Sequence, residues 1–249
     1  MKDKLNSAMD LGEELLLAGA EIHRVEDSMN RILLSLGAVR VDTFIITSSM
    51  VVTVHTPDGE VLTQTRRING SGTDFERIHK LNALSRKICA GEVASEDISA
   101  HLAEIAKTKI YPLWIEIACY AFIAGAFTLF FGGTPIQSIV SLVVGALVRL
   151  VLLLSDTTVK NKIFSKFICS FAATALTYLA LKLSIIQSVD EIIIGNIMTL
   201  IPGIGFTAAL RDIFTGDSIT GILRSLEAII SALAIAAGYF VFVAIGGAV

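Results

Sequence analysis

The sequence predicts an α-helical integral membrane protein with about five transmembrane helices, preceded by a cytoplasmic α+β domain of element order α-β-β-β-α-α. The chain of 249 residues is 53% hydrophobic and has a mean hydropathy of +0.71, which is too apolar for an ordinary soluble domain. Its charges are also unevenly distributed, because residues 1–110 contain 13 of the 20 Lys and Arg and 16 of the 23 Asp and Glu. We therefore predict a soluble domain at 1–110 and a membrane domain at 111–249.

The first predicted element is one long amphipathic helix. Apolar residues recur at three- and four-residue intervals from Leu5 to Leu36, and Gly37 ends the series. Glu21, Arg24 and Glu26 lie on the polar side and are the best candidates for a functional motif in this domain. A solvated face with salt bridges is the usual meaning of such spacing, and both interpretations stay open.

A three-stranded sheet is predicted next, because the apolar period changes from about 3.6 to 2 and Val, Ile and Thr become frequent. The segment Pro57–Glu60 has the composition of a hairpin turn between the second and third strands. The predicted strands are Arg40–Ile46, Ser49–Thr56 and Val61–Ile68.

Two further helices complete the predicted soluble domain. Thr73 and Glu76 have the spacing of a capping box, which predicts a helix that runs toward Cys89. A second helix is predicted to start at Ser95 and to end near Lys107.

The membrane domain contains five apolar segments near the 20 residues that a helix needs to cross the hydrocarbon core. Glu116 begins the first segment and Arg149 lies inside the second, and an ionisable group inside a span is a candidate functional residue. The alternatives are that Glu116 lies among lipid headgroups and that Arg149 extends its charge to the interface. The predicted spans lie near Leu113–Phe131, Ile136–Leu154, Ile163–Ile186, Ile192–Leu210 and Ala228–Val249.

The orientation of the spans follows from the cations in the flanking segments. If the N-terminus is cytoplasmic, only Lys182 flanks the spans on the external side. We therefore predict a cytoplasmic N-terminus and an external C-terminus. The cytoplasmic flanks would then hold Lys107, Lys109, Lys160, Lys162, Lys166, Arg211 and Arg224.

The fourth span is interrupted near its middle by Pro202, Gly203 and Gly205. Non-helical backbone at that depth is tolerated only where protein or a water-filled cavity receives it, and transporters use such breaks to bind substrates. A simple proline kink is the alternative. Asn196 adds a polar group that either contacts substrate or makes a helix–helix hydrogen bond.

The adjacent Arg211 and Asp212 follow the fourth span at its predicted cytoplasmic end. We expect the two side chains to pair with groups on a neighbouring helix and to shape the entry of a substrate. An interfacial salt bridge without a role in transport is the more modest interpretation.

Several classes of function are excluded or disfavoured. The first thirty residues do not have the pattern of a secretory signal. The three cysteines are odd in number and the four histidines lack ligand spacing, so we predict neither a metal site nor a cofactor. A net charge of −3 argues against nucleic-acid binding. Because we find no pairing of a nucleophile with a base, we do not expect an enzyme.

Three segments together resemble the threonine/serine exporter (ThrE) family, and more closely its split-subunit, YjjP-like branch. They are Leu16–Ile32 (LLAGAEIHRVEDSMNRI), the three-strand stretch, and Ile201–Ala228 (IPGIGFTAALRDIFTGDSITGILRSLEA). The resemblance covers nearly the whole chain. It implies an inner-membrane exporter driven by an ion gradient, with threonine or serine as substrates in fused members and dicarboxylates such as succinate in split members.

The resemblance also implies a partner. Fused members carry a second membrane block, whereas this sequence stops at Val249 after one block. We therefore expect a subunit of a secondary exporter of small carboxylate-bearing metabolites, with a small YjjB-like second membrane subunit or, as the alternative, a homo-oligomer. The expected substrate-contacting residues are Asn196, Pro202, Gly203, Gly205, Arg211, Asp212, Arg149 and Glu116. A membrane-tethered sensor whose cytoplasmic domain binds a ligand is the competing function.

Overall fold

The computed structural model describes residues 1–70, 72–107, 111–159 and 161–246. Lys109 and Lys160, two of the cations that predicted the orientation, and Val249, the predicted end of the fifth span, lie outside these residues. The chain divides into two compact units. The first comprises Met1–Lys109 and Phe206–Ser225, and the second comprises Ile110–Gly205 and Leu226–Val249.

The first unit begins with two helices, α1 (Lys2–Leu17) and α2 (Ile22–Ser35), where the sequence predicted one. The chain turns at Gly19, which has a φ of +91°. The amide of Gly72 donates to the carbonyl oxygen of Leu17 at 2.9 Å and fixes the turn from outside. The prediction of one helix was wrong because the apolar period continues through the turn. Both helices bury their apolar faces in the same core.

Three antiparallel strands follow in the order β1 (Arg40–Ile46), β2 (Ser49–His55) and β3 (Val61–Arg67). The predicted strands are confirmed to within one residue. Gly59, with a φ of +80°, forms the predicted hairpin turn between β2 and β3. One face of the sheet is buried, with Met50 on β2 completely inaccessible, and the other face exposes side chains such as Phe44.

Helices α3 (Phe75–Cys89) and α4 (Ile98–Ala106) pack on α1 and on each other. The capping box predicted from Thr73 is wrong by one residue, because the side chain of Asp74 caps α3 by accepting from the amide of Arg77 at 2.9 Å. Aspartate is as good an N-cap as threonine, so the sequence offers two adjacent candidates. The predicted start at Ser95 is also too early, since α4 begins after Asp97.

The apolar half of the chain contains α5 (Leu113–Phe130), α6 (Pro135–Thr158), α7 (Lys162–Lys182), α8 (Asp190–Met198), α9 (Gly203–Phe214) and α10 (Ser218–Gly246). Within the described residues, four helices (α5, α6, α7 and α10) are long and apolar enough to cross a membrane. The count becomes five if α8 and α9, which are bent by 56°, form one span. Helix α10 begins at Ser218, well before the predicted start at Ala228, and its first two turns belong to the first unit.

Small residues allow close helix packing in the second unit. A Cβ atom added to Gly145 on α6 would lie 2.9 Å from the carbonyl oxygen of Tyr120 on α5. At Gly195 on α8 it would lie 2.7 Å from the carbonyl oxygen of Ala124. Such contacts are typical of membrane helices, where packing rather than water exclusion holds the helices together.

We predict that Gly19→Ala destabilises the first unit more than Gly37→Ala does. Both glycines have positive φ, so alanine at either position introduces backbone strain of roughly 1–2 kcal/mol. Only at residue 19 would the new methyl group also collide with the carbonyl oxygen of Gly72, whereas nothing lies within 4 Å at residue 37. Thermal unfolding of the purified full chain in detergent measures the difference. Equal losses for the two variants would contradict the close contact.

Candidate functional site

The break between α8 and α9 is formed by residues 199–202, and the two glycines in the first turn of α9 are accessible. The amide of Gly203 donates to the carbonyl oxygen of Ile201 at 2.8 Å, which gives a tight turn in place of the helical ladder. Gly203 and Gly205 are exposed and Pro202 is half-buried. A Cβ atom at Gly203 would meet nothing within 4 Å. The feature is therefore an open break with a large bend rather than a gentle kink of a continuous helix.

Asn196 lies one turn before the break and is fully buried. Its Nδ2 donates to Ser141 Oγ on α6 at 3.0 Å and to the carbonyl oxygen of Ile192 at 2.9 Å. Thr128 Oγ1 on α5 donates to the same Ser141 Oγ at 2.7 Å. The helix–helix interpretation of Asn196 thus holds for its Nδ2. Its Oδ1 is buried without a hydrogen-bond partner among the described residues.

Glu116 and Arg149, predicted separately as intramembrane charges, form an ion pair between α5 and α6. Arg149 Nε donates to Glu116 Oε2 at 3.0 Å. The guanidinium carbon also lies 5.6 Å from the ring centre of Tyr120, within cation–π distance. Arg149 is therefore held by two neighbours on α5, which replaces the alternative in which it extends alone toward the interface.

Arg211 pairs with Glu21 inside the first unit. Arg211 Nη1 lies 2.8 Å from Glu21 Oε1, with 60% and 25% of the two side chains exposed. Glu21 is the residue that precedes α2, directly after the turn at Gly19. The ion pair thus connects two of the three segments that carry the family resemblance, Leu16–Ile32 and Ile201–Ala228.

Asp212 pairs with Arg224 on α10, also within the first unit. Arg224 Nη1 lies 2.7 Å from Asp212 Oδ2, and only 3% of the Asp212 side chain and 15% of the Arg224 side chain are exposed. The amide of Asp217 donates to the carbonyl oxygen of Asp212 at 2.9 Å and closes the turn between α9 and α10. The adjacent Arg211 and Asp212 therefore have different partners. Arg211 pairs with Glu21, whereas Asp212 pairs with Arg224 and so connects α9 to α10.

Glu26 and Arg24 occupy different environments on α2. Glu26 Oε1 accepts a hydrogen bond from the amide of Ile45 at 3.0 Å, so it connects α2 to β1. Its pKa is raised above the usual value, chiefly because burial disfavours the charged form, with a smaller contribution from the nearby negative charge of Asp217. Arg24 is exposed. Two of the three residues of the predicted motif, Glu21 and Glu26, thus contact other elements of the first unit.

Sequence reasoning missed several of these partners. Arg224 entered only as a flanking cation, and Tyr120, Thr128 and Ser141 were not considered. A hydroxyl residue in an apolar helix is a weak signal, because it can bond to its own backbone. The spacing of Glu116 and Arg149 from the ends of two consecutive spans could have predicted their pairing. Within the described part of the chain, no group of three or more His, Cys, Asp or Glu side chains could hold a metal ion.

A set of apolar helices, with a break beside a buried polar cluster, is typical of membrane transporters. The comparison with known families agrees. Residues 6–246 match the family described as "Putative threonine/serine exporter", and the chain belongs to this family. It is therefore a member of a transporter family and resides in a membrane.

Two curated relatives are similar to the chain. A "Probable threonine/serine exporter" of Mycobacterium tuberculosis is 24% identical over 201 residues, which cover 79% of this chain and 37% of the relative. The "Probable succinate transporter subunit YjjP" of Klebsiella aerogenes is 24% identical over 214 residues, which cover 84% of this chain and 81% of the relative. The chain thus spans little more than a third of the first relative's length. No solved structure gives a significant match.

The raised pKa of Glu26 predicts a pH-dependent difference between the chain and its Glu26→Gln variant. A carboxyl group whose pKa is higher in the folded state than in the unfolded state destabilises the fold when it is ionised, and this penalty disappears at low pH. Glutamine can still accept the hydrogen bond from Ile45. We expect the variant to be the more thermally stable protein at pH 7, with the gap closing as the pH falls through the raised pKa toward the usual glutamate value.

Thermal unfolding of the full chain between pH 4 and pH 8 measures this gap. Glu104→Gln is the matched control, because Glu104 is exposed on α4. A gap that is the same at every pH would contradict the desolvated carboxylate.

Proposed function

We propose that the chain is one subunit of a secondary exporter that moves small carboxylate-bearing metabolites, of the threonine/serine or dicarboxylate type, across the cytoplasmic membrane. The observation that carries the proposal is the open break at Pro202–Gly205 in a chain of an exporter family. Backbone groups that leave a helix at membrane depth need protein or water as partners. A route for a polar substrate supplies water at that depth, whereas a plain membrane anchor has no use for it.

The residues near the break support a substrate route. One turn away, Asn196 Oδ1 is a buried acceptor that has no hydrogen-bond partner in the described part of the chain. The Glu116–Arg149 pair is a second polar feature between the spans of the second unit. At the other end of α9, the Arg211–Glu21 pair connects this helix to the residues that precede α2. We propose that these side chains contact the substrate or control its entry.

A second membrane subunit is the partner we propose. The relative named as a transporter subunit is matched over 81% of its length, whereas the mycobacterial exporter is matched over only 37%. The exposed glycines beside the break, Gly203 and Gly205, supply a surface on which a second protein can pack. Pairing with another copy of the chain is the alternative, and reconstitution of the chain alone distinguishes it from pairing with a second subunit.

Export is tested in proteoliposomes loaded with labelled threonine, serine or succinate. The chain is reconstituted alone and together with a small membrane protein of the same family. We expect substrate-dependent efflux only from the two-component vesicles. Full efflux by this chain alone would refute the heteromeric subunit.

We further predict that Gly203→Ala and Gly205→Ala lower export while the chain folds normally. Neither glycine has positive φ, and no neighbour crowds the new methyl group at residue 203, so alanine is accommodated. Both residues lie in the first turn of α9, directly after the break, where alanine stabilises the helix by about 1 kcal/mol per residue relative to glycine and so stiffens that edge of the break. Gly246→Ala, at the end of α10, is the control. Unchanged efflux from both variants at normal expression would remove the break from the transport route.

The proposed orientation has the N-terminus in the cytoplasm and the C-terminus outside. Reporter fusions after residue 249 and within Ser184–Val189 should both report an external location. Most cations that flank the spans lie in the other flanking segments, and flanking cations favour the cytoplasmic side. A fusion within Pro57–Glu60 should report a cytoplasmic location. A cytoplasmic signal at the C-terminus would require an even number of spans and would contradict the topology.

A further inference from the structure

The first unit contains a small cavity at the corner where α1 ends and α2 begins. Its volume is about 100 Å³, several times the roughly 10–15 Å³ that one water molecule requires. The turn at Gly19 forms one side, and α3 forms the other through Ile78 and Asn82. Phe75 lies at the rim with 65% of its surface exposed. The cavity therefore has room for a small metabolite and an aromatic side chain at its edge.

The polar side chains of Glu21, Arg24 and Asn82 line this cavity. Two of them make no polar contact with another described residue. The guanidinium of Arg24 makes no ion pair, and the side-chain amide of Asn82 makes no hydrogen bond, with any described residue. Glu21 contributes a carboxylate that is three-quarters buried and paired with Arg211. The remaining wall is apolar and includes Val25 and Ile78. A few convergent polar groups in an apolar pocket are the usual composition of a ligand site.

We propose that this cavity binds a small α-amino acid in its zwitterionic form. Arg24 is placed to bind the carboxylate, Glu21 to bind the ammonium group, and the apolar wall to contact a short side chain. A dicarboxylate has no suitable position, because its second carboxylate would lie beside Glu21. The inference goes beyond the proposed function, since a chain that failed to transport would still bind the amino acid.

Binding at this site has a consequence for the segment 206–225. The ligand ammonium group and Arg211 compete for the carboxylate of Glu21, because Arg211 is the cation that pairs with this carboxylate among the described residues. Occupancy of the cavity therefore weakens the contact between Arg211 and the residues that precede α2. Because residues 206–214 belong to α9, the cavity is placed to connect amino-acid binding with the helix that follows the break.

The test is calorimetric titration of the purified full chain in detergent with L-threonine, threoninamide, 3-hydroxybutyrate and succinate. Threoninamide lacks the carboxylate and 3-hydroxybutyrate lacks the amine. We expect threonine to bind at least about tenfold more tightly than either analogue and than succinate. Arg24→Gln should abolish the preference for threonine over threoninamide, and Glu21→Gln the preference over 3-hydroxybutyrate. A purely structural role of either residue would not change one preference and leave the other.

Arg31→Gln is the matched control, because Arg31 lies on the same helix, pairs with Asp27 and is outside the cavity. Its binding should equal that of the unaltered chain. Arg211→Gln should tighten threonine binding by about two- to fivefold, the value of an exposed ion pair. The proposal is overturned if threonine does not bind to the folded chain at about 10 mM, if succinate binds as well as threonine, or if Arg24→Gln keeps its preference. Unchanged affinity in Arg211→Gln would overturn the competition. If the unaltered chain binds threonine but the two-component vesicles show no export, the proposed function alone is refuted.

Discussion

The need to pair backbone groups at membrane depth is the constraint on which the apolar half of this structure depends. A continuous helix meets it by itself, and α5, α6, α7 and α10 do so. Helices α8 and α9 do not form one continuous helix, because the chain leaves the ladder at residues 199–202. The short α8 is held instead by tertiary contacts: Gly195 packs closely on α5, and Asn196 bonds to Ser141 on α6. The break persists because these contacts with α5 and α6 fix the helix that precedes it.

The sequence predicted most of the helices and strands, but it did not predict the turn that separates α1 from α2. Strand bounds were accurate because alternation of period 2 and the turn at Gly59 are both local signals. Four apolar helices were found because their length is set by the membrane itself. The break between α1 and α2 was missed because the apolar pattern continues through the turn, and a hydrogen bond from the distant Gly72 stabilises that turn. Periodicity reports which face is buried and carries no information about whether the helix continues.

The candidate site shows a similar division. Glu21, Arg24, Glu26, Glu116, Arg149, Arg211 and Asp212 could be selected from the sequence because charges are scarce near apolar segments or recur in a short motif. The ion-pair partner of each of these charged residues could not be predicted from the sequence. Glu21 and Arg211 are 190 positions apart in the sequence, and the two side chains come within 2.8 Å because residues 206–225 pack with the N-terminal residues in the first unit. Asp27 and Arg31, with the spacing that does predict a pair, form an exposed bridge of little energetic value.

The two ion pairs of the Arg211–Asp212 motif differ in burial, and burial determines what each contributes. The Asp212–Arg224 pair is nearly inaccessible, so removal of one partner leaves an uncompensated buried charge and costs about 3–5 kcal/mol. The Arg211–Glu21 pair is largely exposed on the arginine side and contributes roughly 0–1 kcal/mol. A contribution to the stability of the fold therefore accounts for the presence of Asp212 and Arg224, but it does not account for the presence of Arg211. Arg211 contributes little to the fold, and the cavity beside Glu21 is lined by Arg24, which makes no ion pair with the residues that the structure describes, so Glu21 can exchange its partner. That freedom makes Glu21 the point at which a ligand can act on the segment that follows the broken helix.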